Sequence, residues 1–128
     1  MSALSDYAEN KLLDHLLGTA AFTAPSTVYI GLSTGSFADD NSGTELTGNN
    51  YARKAIAFDS AASGATDNTS AVEFNAATGT WGSISHFGIF DAASSGNLLI
   101  HGAFTSAKTI ASGDVLKIDA GDLDITAD

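Results

Sequence analysis

Ser33 stands in a short motif that is associated with catalysis. Residues 31–35 read Gly-Leu-Ser-Thr-Gly, the pattern of a nucleophile elbow. In that motif a sharp strand-to-helix turn exposes a reactive serine hydroxyl, with an Asp and a His further along an α/β sheet. Here residues 36–43 are turn formers, and a chain of 128 residues is too short for that fold. We therefore predict that Ser33 ends a strand and that the protein is not an enzyme.

Two histidines on neighbouring predicted strands could bind a metal ion. The hairpin register that we favour sets Phe90 opposite Leu98 and places His86 and His101 on opposite faces. A shift of one residue would bring them onto the same face, because side chains alternate along a strand. Two imidazoles and a carboxylate can bind Zn²⁺, but no short ligand spacing supports such a site here. We predict hydrogen-bonded histidines, no metal and no cofactor.

Two further segments have the composition of ligand sites. Residues 39–45 are rich in side-chain oxygens, as in a calcium loop, but they lack the spacing of an EF-hand. Trp81 lies between Gly79 and Gly82 and could stack on a sugar ring, which would make the chain a carbohydrate-binding module. We predict instead that the indole anchors the core or an interface between subunits.

The charge of the chain limits its partners. Fifteen acidic residues against five basic ones give a net charge of −10. Binding to a nucleic-acid backbone needs clustered Lys and Arg, so this class of partner is excluded. The acidity favours solubility, with docking onto a basic partner as the alternative. No apolar run approaches the roughly 20 residues of a membrane helix, and the first residues lack the basic region of a signal peptide.

One helix is predicted near the N-terminus, over residues 6–17. Asp6 and Glu9 have the spacing of a capping box, and Gly18 is suited to close the helix. The apolar positions within it recur with helical period; they are Ala8, Leu12, Leu13, Leu16 and Leu17. So short a helix is not stable alone in water, so its leucines must pack on the sheet or on a neighbouring chain.

From about residue 27 onward the apolar pattern has the period of β-strands. Residues 35–50 form a long polar loop, which we interpret as a candidate contact loop, and residues 61–68 form another loop. The predicted strands are residues 27–33, 51–58, 71–74, two in a hairpin over 81–105, 108–110, 115–119 and 123–126. The hairpin strands are apolar on both faces and need cover on both sides.

These elements predict a mainly β fold. We expect an antiparallel β-sandwich or jelly-roll-like domain of about seven or eight short strands with one N-terminal amphipathic helix. Residues 1–128 are expected to form a single domain.

Four segments carry a resemblance to a known family. Residues 7–18, residues 21–32, the triplet Tyr51-Ala52-Arg53 and residues 81–92 together resemble small virion proteins of tailed bacteriophages, often labelled tail-fibre-like. The resemblance covers almost the whole chain in the same order. It implies a structural protein of the virion, made in the cytoplasm of the host bacterium, and no catalytic residues. Related small acidic β-domains also serve as decoration, or cement, proteins on phage heads.

Our first hypothesis is a capsid decoration protein that binds the major capsid protein and stabilises the head lattice. The alternative is a tail-associated or tail-fibre-like protein in host attachment, and a carbohydrate-binding module is a distant third. We expect a dimer or trimer that contacts other virion proteins, without nucleic acid or membrane. The candidate interface residues are Leu12, Leu13, Leu16, Leu17, Trp81 and Phe87.

Overall fold

The computed structural model describes residues 2–127, so Met1 and Asp128, the ends of the predicted domain, lie outside the described residues. The described residues form one helix and nine strands, and all strand pairs are antiparallel. In chain order the elements are β1 (Ser2–Leu4), α1 (Asp6–Leu16), β2 (Val28–Ser33), β3 (Lys54–Ile56), β4 (Ala65–Asp67), β5 (Val72–Glu73), β6 (Gly82–Phe90), β7 (Leu98–Ile110), β8 (Lys117–Ile118) and β9 (Asp124–Thr126). The prediction of a mainly β fold with one N-terminal helix is confirmed.

A five-stranded sheet in the order β1-β7-β6-β2-β3 forms the body of the fold. Two small sheets, β4-β9 and β5-β8, complete it. The main core lies between one face of the large sheet and the small sheets, which gives a sandwich-like arrangement. It joins Ile30, Phe87 and Ile89 of the large sheet to Val72 and Ile125 of the small ones.

The opposite face of the large sheet is covered by the loop between β2 and β3. Phe37 of this loop is 1% exposed and forms a second buried cluster with Phe90 and Leu98. The rings of Phe37 and Phe90 meet edge to face, with centroids 5.6 Å apart. Both apolar faces of the β6–β7 hairpin are therefore covered by residues of the same chain.

The hairpin register differs from the prediction beyond its first pair. Phe90 lies opposite Leu98 as predicted, but Ile89 pairs with Ile100, so Leu99 is an extra residue in a β-bulge. Gly88 consequently faces His101 instead of Ile100. The predicted placement of the two histidines on opposite faces is wrong, because this bulge makes the one-residue shift that brings them onto the same face.

The helix begins one residue earlier than the predicted capping box. Ser5, not Asp6, is the N-cap, and its hydroxyl accepts a hydrogen bond from the backbone N–H of Ala8 at 3.1 Å. The helix ends at Leu16, and Gly18 follows with φ +77°, as predicted. The N–H of Thr19 donates to the carbonyl of Asp14 at 2.8 Å, which is typical of a glycine-terminated helix.

The remaining differences concern short strands. The strand predicted over residues 108–110 is the end of β7, and the one predicted over 51–58 is limited to β3. Strands β1 and β4 were not predicted, since each has three residues and exists only through its pairing with β7 or β9. Among residues 2–127, no helix has the length and apolar character needed to cross a membrane.

Candidate functional site

Four exposed leucines at the C-terminal end of α1 and in its C-cap form an apolar surface, which we call the leucine face. It consists of Leu12, Leu13, Leu16 and Leu17, whose exposed fractions are 42%, 55%, 68% and 76%. No residue of α1 is buried. Leu12 packs in part beside Leu99 and Ile100 of the sheet, whereas Leu13, Leu16 and Leu17 are more than half exposed.

The two aromatic residues of the predicted interface lie elsewhere. Trp81 is 5% exposed and Phe87 is 2% exposed, and both belong to the main core. The indole N–H of Trp81 donates to the carbonyl of Asn49 at 2.9 Å, and its ring packs edge-on against Tyr51. These buried side chains are not available to a partner, and Trp81 does not offer the exposed ring that a sugar needs. The candidate interface is reduced to the leucine face.

Polar contacts hold the helix in place at its first turn. Ser5 is 1% exposed, and its hydroxyl donates to the carbonyl of Leu98. The backbone N–H of Ser5 donates to the carbonyl of Leu99 at 2.9 Å, and that of Asp6 donates to the carbonyl of Asp39 at 3.0 Å. The helix is thus attached to β7 and to the β2–β3 loop by its N-terminus.

The two strand histidines make hydrogen bonds, as predicted. Nε2 of His101 lies 2.6 Å from Oδ1 of Asp39, and Nδ1 of His86 lies 2.7 Å from the hydroxyl oxygen of Ser85. Although the rings share one face of the sheet, they have different partners. Within residues 2–127 there is no group of three His, Asp or Glu side chains arranged to hold a metal ion.

An apolar groove runs between α1 and the end of the large sheet. Its volume is about 220 Å³, and Leu12 forms part of its wall, so the groove adjoins the leucine face. His15 also lines it, and Nδ1 of this ring accepts a hydrogen bond from the backbone N–H of Phe22 at 3.1 Å. The lining residues are Leu4, Ala8, Lys11, Leu12, His15, Phe22, Leu99 and Ile100.

A buried ion pair that the sequence analysis did not predict lies where the β2–β3 loop meets the β6–β7 loop. Arg53 is 8% exposed in its side chain, and its Nε and Nη2 donate to the two carboxylate oxygens of Glu45 at 2.9 and 2.7 Å. Nη1 donates to the carbonyls of Ala92 and Ser95, both at 2.8 Å. The guanidinium carbon lies 3.6 Å from the centre of the Phe90 ring. Arg53 therefore fastens the β2–β3 loop to the β6–β7 loop.

Tyr51 also contacts Glu45, and we call the group of Glu45, Tyr51 and Arg53 the Arg53 cluster. Its hydroxyl donates to Oε2 of Glu45 at 2.5 Å and accepts from the backbone N–H of Leu32 at 2.9 Å. Burial, followed by the hydrogen bond to the Glu45 carboxylate, raises the pKa of Tyr51 far above its ordinary value. The hydroxyl is consequently protonated, and able to donate, at neutral pH. Tyr51 and Arg53 share one side of an extended segment, and this alternation was the available sequence signal.

The tip of the β6–β7 hairpin is held by a second carboxylate. Asp91 accepts hydrogen bonds from the backbone N–H of Asn97 at 2.7 Å and from its side-chain amide at 2.9 Å. Burial opposes ionisation of Asp91, but these hydrogen bonds outweigh it and hold the pKa of the carboxyl below its ordinary value. The hairpin tip is therefore fixed from both ends.

The chain matches one protein family over nearly its whole length. Residues 3–126 match the family described as Podophage GP4 fiber I protein gp80. The chain belongs to this family. It is therefore a virion structural protein of a phage, of the tail-fibre-like kind, as the resemblance indicated. No curated protein matches the sequence.

Membership of the fiber I family makes the chain a component of the virion, assembled in the cytoplasm of the host.

The catalytic motif around Ser33 has an ordinary structural explanation. Ser33 is the last residue of β2, and its hydroxyl donates to the carbonyl of Thr44 at 2.6 Å and accepts from the N–H of Gly35 at 3.0 Å. The prediction that Ser33 ends a strand is confirmed, and its hydroxyl fixes the start of the β2–β3 loop.

Gly31 lies directly against the Glu45 and Tyr51 side chains of the Arg53 cluster. A Cβ at this position would lie 2.7 Å from Oε2 of Glu45 and 3.1 Å from the Tyr51 hydroxyl. We expect Gly31→Ala to lower the free energy of unfolding by about 1–3 kcal/mol, because the buried carboxylate must move away from its donors. Urea denaturation measures this. The matched control is Gly35→Ala, where a Cβ would meet nothing within 4 Å, and equal stability of the two variants would contradict the prediction.

Proposed function

We propose that this protein is a tail-fibre component that binds another virion subunit through the leucine face of α1, and that it catalyses no reaction. The family is described as one of fibre proteins. This description supports a role in the tail over the capsid decoration role that was our first hypothesis. In this proposal residues 1–128 form one domain, and two or three copies of this chain assemble into an oligomer.

The proposal is carried by the exposure of the leucine face on a helix that is already fixed in place. Single exposed leucines are common, but a contiguous apolar patch on a small protein marks a contact surface. Four large apolar side chains cluster here, three in the short helix and one in its C-cap. Burying one of them in a partner contributes roughly 1.5–3 kcal/mol. Because polar contacts of Ser5 and Asp6 already order the helix, binding does not have to order it.

The copy number of the protein in purified virions tests the location. A tail-fibre component is expected at a handful to a few dozen copies per particle, and a capsid decoration protein at hundreds. Quantitative mass spectrometry against the major capsid protein gives the number, and labelled antibodies in electron microscopy give the site. Label confined to the head at hundreds of copies would overturn the tail assignment.

Polar substitution in the leucine face tests the attachment surface. We expect the double variant Leu13→Gln/Leu16→Gln to lose at least about tenfold in incorporation into virions, because both side chains are more than half exposed and available to a partner. Thermal stability should change little, as for other surface substitutions.

The matched control for this variant is Val115→Gln. Val115 is also an exposed apolar residue, with an exposed fraction of 43%, but it lies outside α1. Incorporation of Val115→Gln is expected to equal that of the unmodified chain. If the leucine variant were incorporated as well as the control, another surface would be responsible for attachment.

A further inference from the structure

We infer that the outer edge of β7 binds an extended acidic segment of another virion subunit, which adds to the sheet as a strand. In this mode of binding, main-chain hydrogen bonds give affinity and neighbouring side chains give specificity. The edge shares no residue with the leucine face, which lies in α1 and its C-cap. The inference therefore goes beyond the proposed function and does not depend on it.

The second half of β7 has an unpaired edge. The strand runs from Leu98 to Ile110, but β1 pairs with it only at residues 100–102. Within residues 2–127, no other strand lies on the outer side of β7 in the large sheet. The outer side of residues 104–109 is therefore without a strand partner in the part of the chain that the structure describes. An edge of this kind is a template for another strand.

A bulge in β7 increases the number of free backbone groups at this edge. Four residues of β7, 104–107, lie opposite the single residue Ser85 of β6, so they stand outside the regular ladder. Three of them, Thr105, Ser106 and Ala107, have small side chains that are exposed. Side chains therefore do not obstruct a strand that approaches this part of β7.

A groove with a volume of about 350 Å³ lies beside this edge. It is bounded by the second half of β7 and by β8, which belongs to a two-stranded sheet and is paired on one side only, with β5. Phe104 and Ile118 supply the apolar part of its lining. Phe104 is fixed in place because its ring packs on that of Phe87, with centroids 5.4 Å apart. The groove is thus a preformed seat between two strands.

The charge of the groove favours an acidic occupant. Two of the five basic residues of the chain, Lys108 and Lys117, line the groove, and both are exposed. One carboxylate, that of Asp122, also lines it, and Lys117 lies 3.7 Å from the exposed carboxylate of Asp119. Because an exposed pair of this kind contributes little, both ammonium groups remain available to a partner. The lining is net positive on a chain whose net charge is −10.

Lys108 also determines which strands the edge accepts. A lysine at a sheet edge disfavours the addition of an apolar strand, because its charge must be desolvated. A like charge directly opposite is destabilising, whereas an opposite charge stabilises a cross-strand pair. An extended segment with carboxylates at alternate positions therefore satisfies both the backbone and the side chains of this edge.

Binding of a synthetic peptide to the purified full chain tests the inference. The probe is a short, fluorescently labelled peptide of alternating valine and aspartate, followed by fluorescence anisotropy. We expect Lys108→Glu to weaken its binding at least about tenfold, because carboxylates then meet a carboxylate. The matched control is Lys11→Glu, which makes the same change of charge on α1 and should bind like the unmodified chain. Equal binding by the two variants, or no binding by the unmodified chain up to about 1 mM, would overturn the inference.

Methylation of the peptide backbone separates strand addition from simple attraction of charge. Two versions of the probe carry N-methyl groups on one or the other alternate set of residues and keep all side chains. At least one version should bind at least about tenfold more weakly, because a methylated amide has no N–H to donate. Hydrogen exchange at residues 104–109 should slow when the parent peptide binds.

Three outcomes of these measurements would identify a different occupant. Equal binding of both methylated peptides would reduce the groove to a site for anions and refute strand addition. Protection of residues 104–109 by polygalacturonate, an acidic polysaccharide, but not by the peptide would make it a saccharide site. Protection that rises with protein concentration in the absence of peptide would make a second copy the occupant. Each of these outcomes would overturn the inference.

The leucine-face variant separates this inference from the proposed function. Leu13→Gln/Leu16→Gln should bind the peptide as tightly as the unmodified chain, since the two surfaces share no residue. Absence of peptide binding, together with poor incorporation of this variant into virions, would refute the inference alone. Peptide binding at the β7 edge, together with normal incorporation of the variant, would refute the proposed function alone.

Discussion

Arg53→Met is expected to lower the free energy of unfolding by about 3–5 kcal/mol, because it leaves a largely buried carboxylate without its partner. The guanidinium makes hydrogen bonds to both oxygens of Glu45 and to the carbonyls of Ala92 and Ser95. Methionine retains the aliphatic volume but supplies no donor. Urea denaturation followed by tryptophan fluorescence measures the loss, since Trp81 lies in the main core.

Arg53→Lys is expected to lose most of the same stability, because an ammonium group cannot reproduce the planar fork of a guanidinium. The control is Lys117→Met, which removes an exposed pair with an N–O distance of 3.7 Å to Asp119. An exposed pair of this kind contributes at most about 1 kcal/mol. A loss below about 1 kcal/mol for Arg53→Met would show that the cluster does not hold the two loops.

Phe37→Ala is expected to lower the free energy of unfolding by about 3–5 kcal/mol, as large-to-small substitutions of buried aromatic residues do. Phe37 is 1% exposed, and it covers the second face of the hairpin through its contacts with Phe90 and Leu98. Without the ring, the hairpin keeps the main core on one face only. Chemical denaturation gives the change in stability, and hydrogen exchange shows whether the β2–β3 loop opens before the rest of the chain.

The control for this substitution lies in the same loop. Thr47 is exposed, so Thr47→Ala is expected to remain within about 0.5 kcal/mol of the unmodified chain. Unchanged exchange rates in Phe37→Ala would mean that the polar contacts of Thr44 and Glu45 are sufficient to hold the loop.

The elements that could be predicted are those whose signal is local. The leucine period and Gly18 identified the helix, and alternation identified β2 and the hairpin. The hairpin register could not be obtained in this way, because it depends on the bulge at Leu99. The carbonyl of Leu99 accepts the N–H of Ser5, a residue far away in the sequence. Tertiary contact thus decided on which face the two histidines lie.

The candidate site was predictable to the same degree. Exposed leucines on a short helix can be recognised from their period, whereas an aromatic residue such as Trp81 or Phe87 has the same neighbours in sequence whether it fills a core or an interface. Alternation indicates that Tyr51 and Arg53 lie on one side of a strand, but no local signal identifies Glu45 as their partner, because Glu45 lies in a loop. The other acceptors of Arg53 are backbone carbonyls about forty residues further on.

The way in which Arg53 holds the β6–β7 loop has a consequence for how that loop can vary. The guanidinium contacts Ala92 and Ser95 through main-chain oxygens, which every amino acid possesses. Ala93 and Ser94, between them, are exposed. Diversification at these two positions should therefore be compatible with an unaltered loop shape. This makes the hairpin tip a suitable place for randomised libraries or displayed epitopes on a phage particle.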